Sequence, residues 1–156
     1  MALQYLPILA RKSAPKPPRE LRRITTPAWH PLSRSLAAMR IALITSGAIR
    51  EGGQLPFPPL GDASLRMVTA DPTFTDLHVD HRTHFGFAAR KDPEVAFPRR
   101  AVKSLVEQGL VGGIPPFHFS VYGGIKDYRE IEETLAPELA AHLTREQVDL
   151  AVLLPF

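Results

Sequence analysis

The sequence predicts an α/β fold: a mainly parallel sheet with flanking helices, Rossmann-like or three-layered. Three observations carry this. MRIALI and DLAVLL are continuous apolar runs, the pattern of strands buried on both faces of a parallel sheet rather than half-buried in an antiparallel one. Helical periodicity fills two of the intervals between apolar runs. The resulting β, α, β, α, β order favours parallel strands joined by right-handed crossovers.

A chain of 156 residues with 44% hydrophobic content can bury one core of ordinary size. No apolar run reaches the ~20 residues that cross a bilayer. The start, MALQYLPILARK, lacks both the basic opening and the cleavage site of a secretory signal, so a cytoplasmic protein without membrane contact is expected. Cysteine is absent, which excludes a disulfide scaffold and any thiolate metal site.

Charge divides the chain unevenly. Residues 1–40 hold eight Lys or Arg against the single Glu20, whereas residues 41–156 hold eleven against fifteen acids. We therefore read residues 1–36 as a basic, Pro-rich extended arm and 37–156 as the α/β domain. Pro7, Pro15, Pro17, Pro18, Pro27 and Pro31 break any helical stripe of charge. An arm wrapping its own domain or a protein partner is favoured over one that grips nucleic acid.

The elements follow in order. Met39 to Ile49 opens apolar and β-branched and then breaks at Thr45, Ser46 and Gly47, a buried strand leaving into a loop. EGGQLPFPPLGD reads as a long Gly- and Pro-rich loop. Leu65 to Ala70 and Asp76 to His81 are short candidate strands. Phe97 to Gly109 reads as a helix, with Pro98 at its first position and Val102, Leu105 and Val106 on one face. Beyond Gly112 and Gly113 a strand resumes at Phe117, since Pro115 and Pro116 cannot donate to a ladder. Asp127 to Gln147 is helical, with Leu135, Leu139 and Leu143 aligned. Pro137 should kink it or split it in two, opening the second piece. Asp149 to Phe156 closes the unit as another buried strand.

In such folds ligands bind beyond the carboxyl ends of the strands. Thr45, Ser46 and Gly47 stand at one such end, where two hydroxyls and backbone N–H groups can hold a carboxylate or phosphate. The same residues are also ordinary chemistry for leaving a strand, and no dinucleotide fingerprint follows. His78, Asp80, His81 and His84 form H-x-D-H-x-x-H, and His118 lies in FHFSVYGG beside Ser120. Three readings stay open for them: metal ligands, a general acid, base or substrate-orienting role for His81 or His118, and buried structural histidines. In an extended strand His78 and His81 point to opposite faces, which opposes a metal site.

The run TPAWHPLSRSLAAMRIALITSGAI resembles the opening of the glycine/sarcosine/betaine reductase selenoprotein B family, which includes D-proline reductase relatives. KDPEVAFPRRAVKSLVEQGLVGG is similar to a family segment through Asp92, Val95, Phe97, Pro98, Leu105 and Gly109. FHFSVYGG matches a further motif through His118, Phe119, Ser120 and Gly123. The similarity runs in consistent order over residues 26–156. It departs at Glu94, where the family often has Asn, at Arg100-Ala101, where Arg-Leu is usual, and in the arm before Thr25.

The resemblance implies a reductase that cleaves a C–N bond of an amino acid or related amine. A selenocysteine or cysteine acts as nucleophile, and a pyruvoyl group on a partner subunit activates the amine. Family members place the selenol or thiol in the turn after a strand like DLAVLL, so an incomplete fold ending just before a selenocysteine codon read as a stop is expected. Within this chain no residue is then catalytic, and Thr45, Ser46, Gly47, His81, His118 and Ser120 would form the substrate-binding wall. The alternative is a non-catalytic binding or assembly subunit that self-associates or pairs with a separately encoded half bearing the thiol or selenol.

Overall fold

The computed structural model describes residues 30–59, 62–82, 86–125 and 128–156. The chain divides into two compact units, Met1–Pro31 and Leu32–Phe156. The fold that follows is that of the second unit. Most of the expected arm, residues 1–29, and His84 lie outside the described residues.

After a single 3-10 turn at Leu36–Ala38 come β1 (Ile41–Thr45), β2 (Ile49–Glu51), β3 (Arg66–Thr69), β4 (Leu77–Val79), α1 (Gly86–Lys91) and α2 (Arg99–Glu107). Then follow β5 (Phe117–Ser120), α3 (Tyr128–Glu130), a π-helical stretch at Ile131–Leu135, α4 (Ala136–Arg145) and β6 (Leu150–Leu154). The main sheet has the order β3-β5-β1-β6. β1 is central and parallel to both neighbours, with Thr45 opposite Ser120 on one side and Leu154 on the other. All five residues of β1 are buried, as the continuous apolar run requires of a strand covered on both faces.

Alternation along the strands splits the core into two layers. Ala42, Ile44 and Phe119 face the last helix, and Leu139 and Leu143 pack against them. Leu43 and Val68 face the opposite way, against Ala89, Ala96, Phe97 and Val102. Phe97 is fully buried here, a burial that stabilises the fold by roughly 1.5–3 kcal/mol. Helices thus cover both faces of a mostly parallel sheet, the arrangement the apolar runs predict.

The structure departs from the sequence reading in several places. β3 runs antiparallel to β5. Between the first strand and the Gly- and Pro-rich loop lies β2, which shares only Glu51 with that loop and pairs antiparallel with β4 in a small second sheet. α1 has no counterpart in the sequence reading, because six residues span too few turns to show a period. Pro98 stands just before α2 rather than inside it, and Gly109, at φ +69°, ends the turn that follows. Pro137 does not divide the last helix into separate pieces: the chain is helical from Tyr128 to Arg145, with Pro137 in the first turn of α4. Its missing N–H leaves the preceding chain without a regular α-helical bond, and the π-helical stretch falls there.

Candidate functional site

The carboxyl ends of β1, β5 and β6 meet at one edge of the sheet, and the turn after β1 is tied into it at every step. Ser46 N–H donates to the Leu154 carbonyl (3.1 Å), and Ala48 N–H to that of Val121 (3.0 Å). Gly47 N–H donates to Thr45 Oγ1 (3.1 Å). The expectation of free N–H groups for an anion is therefore not met in this arrangement. What the turn offers instead is the Ser46 hydroxyl, which accepts the Phe156 N–H (2.8 Å) and donates weakly to the Phe156 carbonyl (3.4 Å).

His81 reaches this edge from the segment after β4. Asp80 guides it: its N–H donates to the Ala48 carbonyl (2.9 Å), and its carboxylate accepts from Arg50 Nε (2.9 Å) and Phe57 N–H (2.8 Å). Arg90 of α1 donates to the His81 carbonyl (2.8 Å). Gly86 sits so close that a Cβ there would come within 2.5 Å of the same oxygen. The ring is 3% exposed. It stacks on Tyr122 with centroids 5.5 Å apart and meets Phe156 edge-on at 6.0 Å. Its Nε2 lies 3.4 Å from the Gly123 carbonyl. Gly123 is needed for this approach, because a Cβ would come within 2.7 Å of the Ser46 carbonyl and 3.1 Å of that of Phe156. Ser46, His81, Tyr122, Gly123 and Phe156 thus form one cluster. Aromatic packing orients an imidazole at the same edge that carries the Ser46 hydroxyl, two groups of a kind able to hold or pass a proton.

The other candidates sit deeper. Thr45 Oγ1 donates to the Ala96 carbonyl (2.9 Å), and Ser120 Oγ accepts from Ile49 N–H (2.7 Å). Both hydroxyls secure the loop layer over the sheet. His118 is fully buried against Phe97, edge to face at 5.8 Å. Its Nδ1 accepts the Leu43 N–H (3.3 Å) where the β1–β5 ladder has not yet begun. Burial, and then the nearby Arg99 charge, lowers its pKa from 6.5 to about 4, so it is neutral at pH 7.

The H-x-D-H cluster does not converge. His78 lies on an exposed strand position beside Asp76 (3.1 Å), while the Asp80 carboxylate is engaged by Arg50 and Phe57. No metal-binding group of three or more such residues exists among the described residues. Sequence reasoning missed Tyr122, Phe57, Arg90 and Phe156 as parts of the site. An aromatic directly before the Gly-Gly after β5 was the signal that pointed to Tyr122.

This places the chain in a class, an α/β domain whose polar and aromatic groups gather at the carboxyl edge of its parallel strands. Over 127 residues, 81% of its length, it is 30% identical to D-proline reductase subunit gamma of Acetoanaerobium sticklandii. The similarity supports a distant relationship to that family. The chain spans about half (52%) of that relative's length. No family model matches the chain. No solved structure matches it. No helix among the described residues is long and apolar enough to cross a membrane.

Proposed function

We propose that this chain is a reductase-related subunit that supplies one wall of a site for reductive C–N cleavage of an amino acid or related amine. The observation that carries this reading is the similarity to a D-proline reductase subunit, joined to the gathering of Ser46, His81 and Gly123 at the carboxyl edge of β1, β5 and β6. Cysteine is absent from the sequence. The thiol or selenol that such chemistry requires must therefore come from residues outside these 156, whether a longer form of the chain or a second polypeptide.

In this reading the pyruvoyl group that activates the amine belongs to a partner subunit. The part of this chain is to orient and to manage protons. Tyr122 and Phe156 hold the His81 ring, and its Nε2, beside the Gly123 carbonyl, is the group that delivers a proton to the departing nitrogen. The Ser46 hydroxyl, once released from Phe156, is a donor for the substrate carboxylate.

Reconstitution tests the reading. The chain is combined with the thiol- or selenol-bearing half and the pyruvoyl subunit from the same genome, then supplied with D-proline and a dithiol. Ring-opened 5-aminopentanoate should form only in the complete mixture, and His81→Gln should lower kcat at least tenfold while the complex still assembles. The absence of cysteine also favours a second reading, the pure assembly subunit. In that case the chain is required for turnover, but His81→Gln and Ser46→Ala leave kcat unchanged.

A further inference from the structure

Phe57 is the one buried residue in an exposed stretch of loop. Of residues 55–59, Leu55, Pro56, Pro58 and Pro59 lie at the surface, Leu55 at 80% exposure, whereas Phe57 is turned inward at 4%. It joins neither layer of the sheet core. It packs instead with Ala48 and Tyr122 in a small third cluster, between the segments that follow β1 and β5. Ala48 sits there at φ +52°, an angle uncommon for a residue with a Cβ, and its carbonyl accepts the Asp80 N–H (2.9 Å).

Three side chains pin the loop. Arg66 Nε, at the start of β3, donates to the Leu55 carbonyl (3.1 Å). The Asp80 carboxylate accepts the Phe57 N–H (2.8 Å), and the Tyr122 hydroxyl donates to the Pro59 carbonyl (3.2 Å). The Arg66 guanidinium also lies 4.4 Å from the centre of the Phe57 ring, a cation held over an aromatic face. The Phe57 ring in turn meets Tyr122, tilted at 52° with centroids 6.2 Å apart.

Two of these contacts end one step from His81. Asp80 precedes it in the chain, and Tyr122 is the ring on which the imidazole stacks, at 27° and 5.5 Å. Rotation about χ2 of a histidine or tyrosine is soft, because the torsion joins an sp3 to an sp2 carbon and its minima are broad. The angle at which His81 presents Nε2 to the Gly123 carbonyl (3.4 Å) is therefore set by what packs against the ring. The same holds for Tyr122, whose angle is set by Phe57 and by the bond to Pro59.

We propose that Phe57, clamped by Arg66, is a positioning residue for His81 that acts through Tyr122, a role that rests on the reading of His81 as the proton donor of the proposed function. The guanidinium holds the Phe57 ring, that ring sets the tilt of Tyr122, and Tyr122 sets the plane of the imidazole. The loop thereby fixes His81 twice, through the backbone at Asp80 and through the ring at Tyr122.

Proton NMR on the full 156-residue chain tests this relay without any partner. The His81 ring signals are identified by their loss in His81→Gln, and the Tyr122 ring current displaces them from the positions of a free imidazole. Phe57→Leu and Arg66→Met should each move them back toward those positions. Val102→Ala, a cavity in the α2 layer outside this cluster, should leave them in place although it destabilises the fold. Should Phe57→Leu fail to fold, Arg66→Met, at a half-buried side chain, carries the measurement. In the reconstituted mixture both variants should lower kcat with KM for D-proline unchanged, and neither should lower it further in a His81→Gln background. His81 signals that stay in place in the variants that fold overturn the proposal, as does an equal drop in kcat with and without His81. A kcat indifferent to His81→Gln overturns the proposed function instead, and the spectrum alone then decides whether Phe57 sets the ring.

Discussion

His118 is the residue whose burial has the clearest measurable consequence. Its pKa is lowered to about 4, by burial first and the Arg99 charge second, so the folded chain resists a proton that the unfolded chain accepts below about 6.5. Its contribution is intact above pH 6.5, is lost as pH falls from there to about 4, and is constant below. The full span is worth about 3 kcal/mol. Urea unfolding at pH 7 and pH 4 should show His118→Gln losing about that much less than the native chain; equal losses would remove His118 as the cause. At the edge of the sheet, Gly123→Ala should cost about 1–3 kcal/mol, since the new Cβ would be forced against the Ser46 and Phe156 carbonyls. Thermal unfolding measures that directly. The sequence showed His118 and His81 as chemically notable residues but could not rank their depth. Depth depends on which face of β5 meets Phe97 and on where the chain turns after Val79, and both are tertiary facts.

At the scale of elements, Arg99 joins α2 to the segment between β3 and β4. The guanidinium is 3% exposed. It donates to the carbonyls of Thr69 (2.8 Å), Asp71 (3.2 Å) and Phe74 (2.9 Å). Its Nε lies 3.5 Å from Glu94 Oε1. Arg99→Met should therefore destabilise the fold by about 3–5 kcal/mol, because the Thr69 and Phe74 carbonyls lose this donor while the Asp71 carbonyl is left with Phe74 N–H and the largely buried Glu94 carboxylate with Arg100. Arg99→Lys should recover little of this, a single ammonium being unable to span the fork. Full recovery by Lys in a thermal melt would show that charge alone matters. Strands β1 and β6 and helix α2 were legible because their patterns are long and continuous. The antiparallel sense of β3 was not: four residues alternate alike in either direction, and the ladder to β5 decides between them. β2 was hidden because three residues are too few to show an alternation, and they fall between the first apolar run and Gly52-Gly53.

Across the whole molecule, charge and fold are carried by different stretches of sequence. Residues 1–29 contain Arg11, Lys12, Lys16, Arg19, Arg22 and Arg23 against Glu20, so removing them lowers the net charge by five, from +3 to −2. The hydrophobic clusters of the described domain draw on residues from Leu43 and Ala42 onward. A chain beginning at residue 30 should therefore keep a cooperative melt within a few degrees of the full chain, while its retention switches from a cation exchanger to an anion exchanger near neutral pH. A broad, non-cooperative melt would show instead that the arm completes the core. The same pair of proteins separates the two uses of a basic arm. If the arm recruits an acidic face of a partner subunit, assembly of the reconstituted complex should slow without it, and the difference should shrink as salt shortens the Debye length from about 10 Å at 0.1 M to about 3 Å at 1 M. Equal assembly rates at low salt would leave the arm no part in recruitment. The acidic body, eleven basic against fifteen acidic residues, would then be the side chains' own means of keeping the domain in solution.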